Sequence, residues 1–283
     1  MIPLAIEVDV NHLFFWDPIF LEDTPFAVNR VVILMWLASL ACTVFFLAGA
    51  RRAALVPRGV QNLAETAYLF VRNQIAIDII GPKDGLRYAP YLAALFFFIF
   101  FNNLLEVVPG INFPVTSRMA IPAFLAIVTW FIFNIIGMVR QGPLRYFKDT
   151  LFPPGLPGGI GGIFIKGLLA IIELFSVFFI RPLTLAVRLL ANMMAGHVLL
   201  TIFFLFTHDF LVENIGPASP LGVFTLAMSA VLIVFELLII SIQAYIFTML
   251  TAFYISESIH GHGEEEHEEH VETPHETEGL QPA

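Results

Sequence analysis

Two long apolar stretches near the C-terminus, 163–207 and 220–257, carry side chains that can hold or exchange charge. A charged group at the centre of a bilayer costs about 2.5–3.5 kcal/mol, so ionisable residues inside membrane segments normally mark ion pathways or their counter-charges. The candidates in the two stretches share this apolar setting and are Lys166, Glu173, Arg181, Arg188, Asn192, His197, Glu236 and Gln243.

Helical phase places Arg188 on one face of the first stretch. At 100° per residue, Arg181 and Asn192 lie within about 20° and 40° of Arg188. His197 lies about 180° away, on the opposite face. Arg188 cannot easily extend to the membrane surface, because about a dozen or more apolar positions follow it. The first stretch therefore presents a fixed cation with an amide on one face and a titratable imidazole on the other.

His197 and Glu236 could meet in a polar crevice between the two stretches. Gln243 lies on the same face as Glu236, about 20° away. An imidazole and a carboxylate that both titrate in an accessible range suit a proton relay. The alternative is a structural ion pair that only ties the two helices together.

Glu173 and the basic residues near it allow two interpretations. Lys166 lies near the start of its stretch and is expected to extend its ammonium group to the interface, and Arg181 could do the same. Glu173 could line a second aqueous access route, from the cytoplasm. It could instead be the counter-ion of Lys166 or Arg181.

Glu106 offers a further carboxylate near the outer end of an earlier apolar run. It follows Asn102 and Asn103, so three polar side chains stand close together in the sequence. They could line an outer access route. The alternative for Glu106 is a hydrated carboxylate at the level of the lipid headgroups.

The composition indicates a membrane protein. Of the 283 residues, 58% are hydrophobic and 13% are charged, whereas soluble proteins carry about 25% charged residues. Lipid can solvate the 30 Phe side chains, which no soluble core of this length could hide. Cys42 is the single cysteine, which excludes a disulfide framework or a cysteine metal site. We therefore predict an all-α integral membrane protein.

Apolar runs of bilayer length predict about five crossings within one membrane domain, 30–257. Three runs, 31–50, 90–108 and 119–139, have the length of ordinary spans. As straight helices, the two long stretches would extend roughly 68 Å and 57 Å, although a bilayer core is only about 30 Å thick. We predict that they form a strongly tilted hairpin, bent at Pro182.

The segment 58–80 is predicted to be an amphipathic helix on the cytoplasmic surface. Charged residues such as Glu65 and Arg72 interrupt any spanning interpretation. Its apolar residues recur at helical spacing and are Leu63, Ala67, Phe70, Val71 and Ile75.

Charge clusters orient the chain. Positive residues concentrate on the cytoplasmic side of membrane proteins, and here they follow the first and third spans: Arg51, Arg52, Arg58, Arg140, Arg145 and Lys148. This arrangement places the segment 1–29 outside and the tail 258–283 in the cytoplasm. The tail supplies most of the net charge of -9 and is rich in Glu and His, which predicts a disordered segment. Metal binding by its histidines is the less favoured alternative.

The stretch RPLTLAVRLLANMMAGHVLL resembles the arginine-bearing helix of the a subunit of F-type ATP synthases, and ELLIISIQAYIFTMLTAFYI resembles its partner helix. NNLLEVVPG, the PVTS turn and PRGVQNLAE are also similar to that family. The resemblance covers most of 30–258. In one respect the chain departs from several members: the segment from Glu173 to Arg188 is one residue longer.

The resemblance implies a role for each polar group. Arg188 would be the essential arginine facing the rotor ring, with Arg181 as a secondary basic residue. The outer half-channel would contain Asn192, His197, Glu236 and Gln243. The inner half-channel would contain Glu173 and Ser176.

The family implies a stator subunit that couples proton translocation to ring rotation in the plasma or inner membrane. It would itself bind no nucleotide, metal or other cofactor, and no nucleic acid. Its partners would be the ring subunit c, the peripheral-stalk subunit b, the remaining ATP synthase subunits and lipid. The sequence shows no phosphate-binding GxxxxGK[ST] loop. A stand-alone transporter would be expected to show internal repeats, and a membrane enzyme a ligand cluster such as HExxH; neither is evident.

Overall fold

Helices make up nearly all of the chain that the structure, a computed structural model, describes: residues 28–51, 57–151, 160–213 and 219–260. Five helices are long and apolar enough to cross a membrane, namely Arg30–Ala50, Pro82–Leu104, Ala120–Gln141, Lys166–Val212 and Pro220–His260. The predicted all-α membrane fold with about five crossings is confirmed. Most of the predicted segments 1–29 and 258–283 lies outside the described residues.

The helices follow one another with short connections. In chain order they are α1 (Arg30–Ala50), α2 (Val60–Val71), α3 (Pro82–Leu104), α4 (Ala120–Gln141), α5 (Pro143–Leu151), α6 (Ile160–Phe175), α7 (Arg181–His208) and α8 (Ser219–His260). Several join through π-helical turns, in which the backbone hydrogen bonds span five residues: Arg72–Ile77, Ser176–Ile180 and Asp209–Glu213.

Two helices differ in extent from the predicted segments. α3 begins at Pro82, where a proline lacking an N–H suits the first helical turn, and Pro90 lies inside it. It ends at Leu104, so that residues 105–108 of the predicted span lie in a turn instead. α5 occupies Pro143–Leu151, a helix that lies between the predicted spans 119–139 and 163–207.

The segment 58–80 is helical from Val60 to Ile80, and its apolar residues divide between those packed against protein and those left exposed. Val71 and Ile75 are fully buried, whereas Leu63 and Phe70 are exposed. The π-helical turn Arg72–Ile77 lies within the segment. A π-helical turn contains more residues than an α-helical turn, so the residues after it point in other directions than a regular 100° repeat predicts. Lipid, which also covers apolar side chains, explains why hydrophobicity alone does not mark the buried face.

α7 and α8 form an antiparallel hairpin, which we identify from contacts that run in opposite chain directions: Arg181 with Glu257, Asn192 with Gln243, and Thr207 with Thr225. One side of the hairpin packs against α3 and α4. In the most apolar 18 residues of each helix, 44% of the residues of α3 and 39% of those of α4 are buried inside the protein. Only 11% and 17% are buried in the two long helices Lys166–Val212 and Pro220–His260. The hairpin therefore lies at the edge of the bundle and leaves a broad face open.

The crossing of α3 over the π-helical turn Arg72–Ile77 predicts an effect of substitution at Gly85. A Cβ added there would overlap the backbone of Ala76 and Ile77, which cannot rotate away as a side chain can. We expect Gly85→Ala to destabilise the protein by about 1–3 kcal/mol, the usual cost of overpacking. Thermal inactivation of the purified complex would measure the loss. Gly167→Ala, which meets no atom within 4 Å, is the matched control; equal stability of the two variants would contradict the prediction.

Candidate functional site

A buried polar cluster lies where the turn after α3 meets the hairpin. The Nδ1 atom of His197 lies 3.8 Å from Oε1 of Glu106. The carboxyl groups of Glu106 and Glu236 are close enough to interact directly. The exposed fractions of Glu106 and Glu236 are 3% each, and that of His197 is 6%. Three titratable groups from three elements therefore share one site shielded from the surface.

This arrangement changes two of the sequence interpretations. The sequence indicated that His197 and Glu236 could meet in a polar crevice, and the structure adds Glu106 as a third member. Glu106 is also not a hydrated carboxylate at the surface, since it is almost completely buried. The prediction of its access-route role remains untested by the geometry.

Glycine at position 196 allows the hairpin to hold the cluster. A Cβ at Gly196 would overlap the carboxyl group of Glu236, so the close approach of α8 requires a residue without a side chain. The imidazole of His197 next to it packs edge-on against the ring of Phe113, with centroids 5.5 Å apart. Phe113 follows Asn112, which adopts a positive φ of 41°, and this turn folds over α7.

Asn102 and Asn103 extend the cluster into α3. Both are fully buried. Asn103 accepts a hydrogen bond from the hydroxyl of Thr116, and Asn102 donates to the carbonyl of Phe98 at 2.7 Å. Several other buried atoms here have no hydrogen-bond partner among the described residues: Asn102 Oδ1, Asn103 Nδ2, both carboxyl oxygens of Glu106, Glu236 Oε1 and Gln243 Nε2. Buried polar groups normally have partners, and water often supplies them.

Arg188 lies on the open face of the hairpin. It is exposed, and among the residues that the structure describes it has no hydrogen-bond or ion-pair partner. One turn further, Asn192 donates from Nδ2 to Oε1 of Gln243 at 2.5 Å. A cleft of about 300 Å³ between the helices is lined by Asn192, Gly196 and Glu236, among others. The cleft joins the open face to the buried cluster.

A second charged group, at the other end of the hairpin, surrounds Arg181. Its guanidinium donates to both carboxylate oxygens of Glu257, at 2.6 and 2.8 Å, and to Glu173 at 2.9 Å. It also lies over the ring of Tyr254, 5.2 Å from the centroid. Glu173 is therefore a counter-ion of Arg181, one of the two alternatives. Ser176 begins the π-helical turn between Glu173 and Arg181 and is half-buried.

Sequence reasoning missed Glu257, because it stands at the last position of its predicted span. A signal was present: Glu257 follows Gln243 by two heptads, as Gln243 follows Glu236 by one. Residues seven apart lie about 20° apart on a helix, so all three belong to one broad face of α8. The heptad repeat would have placed Glu257 toward α7.

The family profile described as "ATP synthase A chain" matches residues 32–256 of this chain. The chain belongs to the ATP synthase A chain family. The resemblance noted from the sequence is thereby confirmed. The match covers nearly the whole described membrane bundle, including all but the last turn of the hairpin. The chain is a multi-pass membrane subunit of an F-type ATP synthase, and is not a catalytic subunit.

Curated relatives agree with this assignment. An ATP synthase subunit a of Frankia alni is 44% identical over 252 residues, which cover 89% of this chain and 84% of the relative. One of a Parafrankia species is 44% identical over 253 residues, covering 89% and 83%. One of Rhodococcus erythropolis is 37% identical over 247 residues, covering 87% and 88%. Other ATP synthase subunits are therefore its partners.

Within the described ranges, no group of three or more His, Cys, Asp or Glu side chains is arranged to hold a metal ion. This holds also for the buried cluster of Glu106, His197 and Glu236, whose side chains are not placed as metal ligands. The histidines of the tail beyond His260 lie outside the described residues.

The tight contact between Gly196 and Glu236 yields a prediction. We expect Gly196→Ala to displace the Glu236 carboxyl group and lower ATP synthesis severalfold in membrane vesicles. Asp is one methylene shorter than Glu, so adding Glu236→Asp should restore part of the rate by making room for the methyl group. Glu236→Asp alone is the control. A normal rate in Gly196→Ala would show that the close approach is not required.

Proposed function

We propose that this subunit is the stator that provides two offset aqueous half-channels for protons moving to and from the carboxylates of the rotor ring. Ion flow would then be coupled to rotation of the ring. The observation that carries the proposal is the position of Arg188. It is an uncompensated cation, within the described residues, on the open face of an apolar hairpin, and polar clusters lie on either side of it along the helix.

The outer half-channel would use the buried cluster and the cleft. Asn102, Asn103 and Glu106 would form its α3 side, and His197 and Glu236 would exchange the proton. Asn192 and Gln243 would then form the passage to the open face. The buried polar atoms that lack protein partners support this role, since they can bind water along the route. The alternative, a purely structural tie, would be expected to use up these hydrogen-bonding groups.

The inner half-channel would lie near Glu173 and Ser176, toward the other end of α7. Arg181 already neutralises part of the charge of Glu173 and Glu257. Along an α-helix, Arg188 is about 10 Å from Arg181 and about 14 Å from His197. This spacing fits two half-channels that reach the open face at different depths in the membrane, one on each side of Arg188.

Arg188 would act on a carboxylate that another subunit brings. An opposite charge nearby favours the ionised form of a carboxyl group, so a ring carboxylate would release its proton as it passes. The same fixed cation would repel a proton that moves directly from one half-channel to the other. Protons would therefore have to travel with the ring.

The partners and orientation follow from the same scheme. The open face of the hairpin would contact the ring of subunit c, and other surfaces of the chain would contact subunit b. The chain would lie in the plasma or inner membrane with its N-terminus outside and its C-terminus in the cytoplasm. The ion pair of Arg140 with Asp84 joins the end of α4 to the start of α3, so these two ends lie on one side of the membrane, as this topology requires.

Removal of the Arg188 charge provides the test. In an assembled complex, we expect Arg188→Ala to abolish ATP-driven proton pumping, measured by acidification of inverted membrane vesicles, while passive proton leak can remain. Lys166→Ala removes a cation from the same long helix, 22 positions earlier, and should retain pumping. Normal pumping by the Arg188→Ala complex would refute the proposal.

A further inference from the structure

The π-helical turn Ser176–Ile180 lies between Glu173 and Arg188, and its hydrogen bonds explain its position. The N–H of Arg181 donates to the carbonyl of Ser176, five residues back, rather than to Val177 as in an α-helix. The next residue, Pro182, has no N–H to offer. Pro182 therefore leaves one backbone carbonyl without its usual N–H donor. In a π-helix, that carbonyl lies five residues back and belongs to Val177. In an α-helix, it would lie four residues back and belong to Phe178.

Trp130 of α4 supplies a donor to that carbonyl. Its indole Nε1 donates to the Val177 oxygen at 2.9 Å, and Val177 is buried, with 3% of its surface exposed. The Trp130 ring also packs against Phe178, with centroids 5.3 Å apart. Leaving a buried carbonyl without a hydrogen-bond partner destabilises a fold. The indole bond therefore favours the π-helical register, because an α-helical register would already pair Val177 with Arg181.

The register decides which residue faces Arg181. Eight residues separate Glu173 from Arg181, which in a regular helix would place them about 80° apart. A π-helical turn absorbs one residue and reduces the angle to about 20°. The 2.9 Å contact between Glu173 and Arg181 agrees with the smaller angle. Arg188 lies seven residues further, so all three residues follow one stripe. Without the turn, Leu174 would occupy the place of Glu173.

We propose that Trp130 is a positioning residue of the ion pathway, whose indole holds the π-helical turn Ser176–Ile180 and thereby aligns Glu173 with Arg188. The role of Glu173 in transport rests on the proposed function. The alignment itself is a property of the helix and can be measured without transport.

Crosslinking in the assembled complex tests the alignment. Glu173 and Glu257 both contact Nη2 of Arg181, so cysteines at these two positions should react with one short bifunctional thiol reagent. The background would carry Cys42→Ser, which removes the native thiol. We expect the pair Glu173→Cys with Glu257→Cys to crosslink, and the pair Leu174→Cys with Glu257→Cys to crosslink poorly.

Trp130→Phe should reverse this preference, because it removes the indole N–H and keeps an aromatic ring. Crosslinking, scored per assembled complex, should move from position 173 to position 174. Trp36→Phe, at an exposed position of α1, is the matched control and should change nothing. An unchanged preference for position 173 in Trp130→Phe would overturn the proposal.

Deletion of Ile180 provides the second arm. It shortens the distance between Glu173 and Arg181 to seven residues, so a regular α-helix aligns them whether or not the indole is present. In this background, Trp130→Phe should keep crosslinking at position 173 and should lower ATP synthesis less than it does in the native-length chain. Equal losses in both backgrounds would assign Trp130 a packing role only.

The two proposals fail separately. Normal pumping in Arg188→Ala would refute the half-channel function but would leave the crosslinking pattern as expected. A register that does not depend on Trp130, together with loss of pumping in Arg188→Ala, would refute only the positioning role.

Discussion

The cost of an uncompensated charge in apolar surroundings governs this structure. Among the described residues, Arg181 has two carboxylates and an aromatic ring around its guanidinium. Arg188, one heptad later on the same helix, has no hydrogen-bond or ion-pair partner in the described part of the chain. Two arginines on nearly the same stripe thus have opposite surroundings. The difference singles out Arg188 as a cation whose counter-charge the described residues do not supply, although isolated charges in membranes are costly.

The hairpin satisfies this constraint by separating its two sides. The inner side collects the polar groups that must avoid lipid, and it does so through close contacts that Gly196 permits. The outer side is broad and apolar, with Arg188 and Asn192 exposed on it. The cleft beside Glu236 connects the sides. Under the proposed function, a rotating partner would slide along an apolar face with few polar contacts to break, while protons would use the polar side.

Much of the fold could be predicted, because lipid imposes simple rules. Uninterrupted apolar runs of bilayer length gave the crossings, and helical phase separated Arg188 from His197. The third member of the cluster, Glu106, could not be assigned, because it comes from a turn distant in sequence. Helical spacing in the segment 60–80 could not tell which apolar residues pack against protein, since apolar residues face lipid as readily as protein.

The sequence by itself determined the membrane class, the family and the identity of the unusual residues, because composition, run length and local motifs depend only on neighbours along the chain. The tertiary structure alone decided which titratable groups meet: Glu257 with Arg181, and Glu106 with His197. It also decided the phase of Glu173, through the hydrogen bond from Trp130 to Val177. Pairing and phase depend on contacts between separate helices, and a periodic pattern read along one helix contains no information about them.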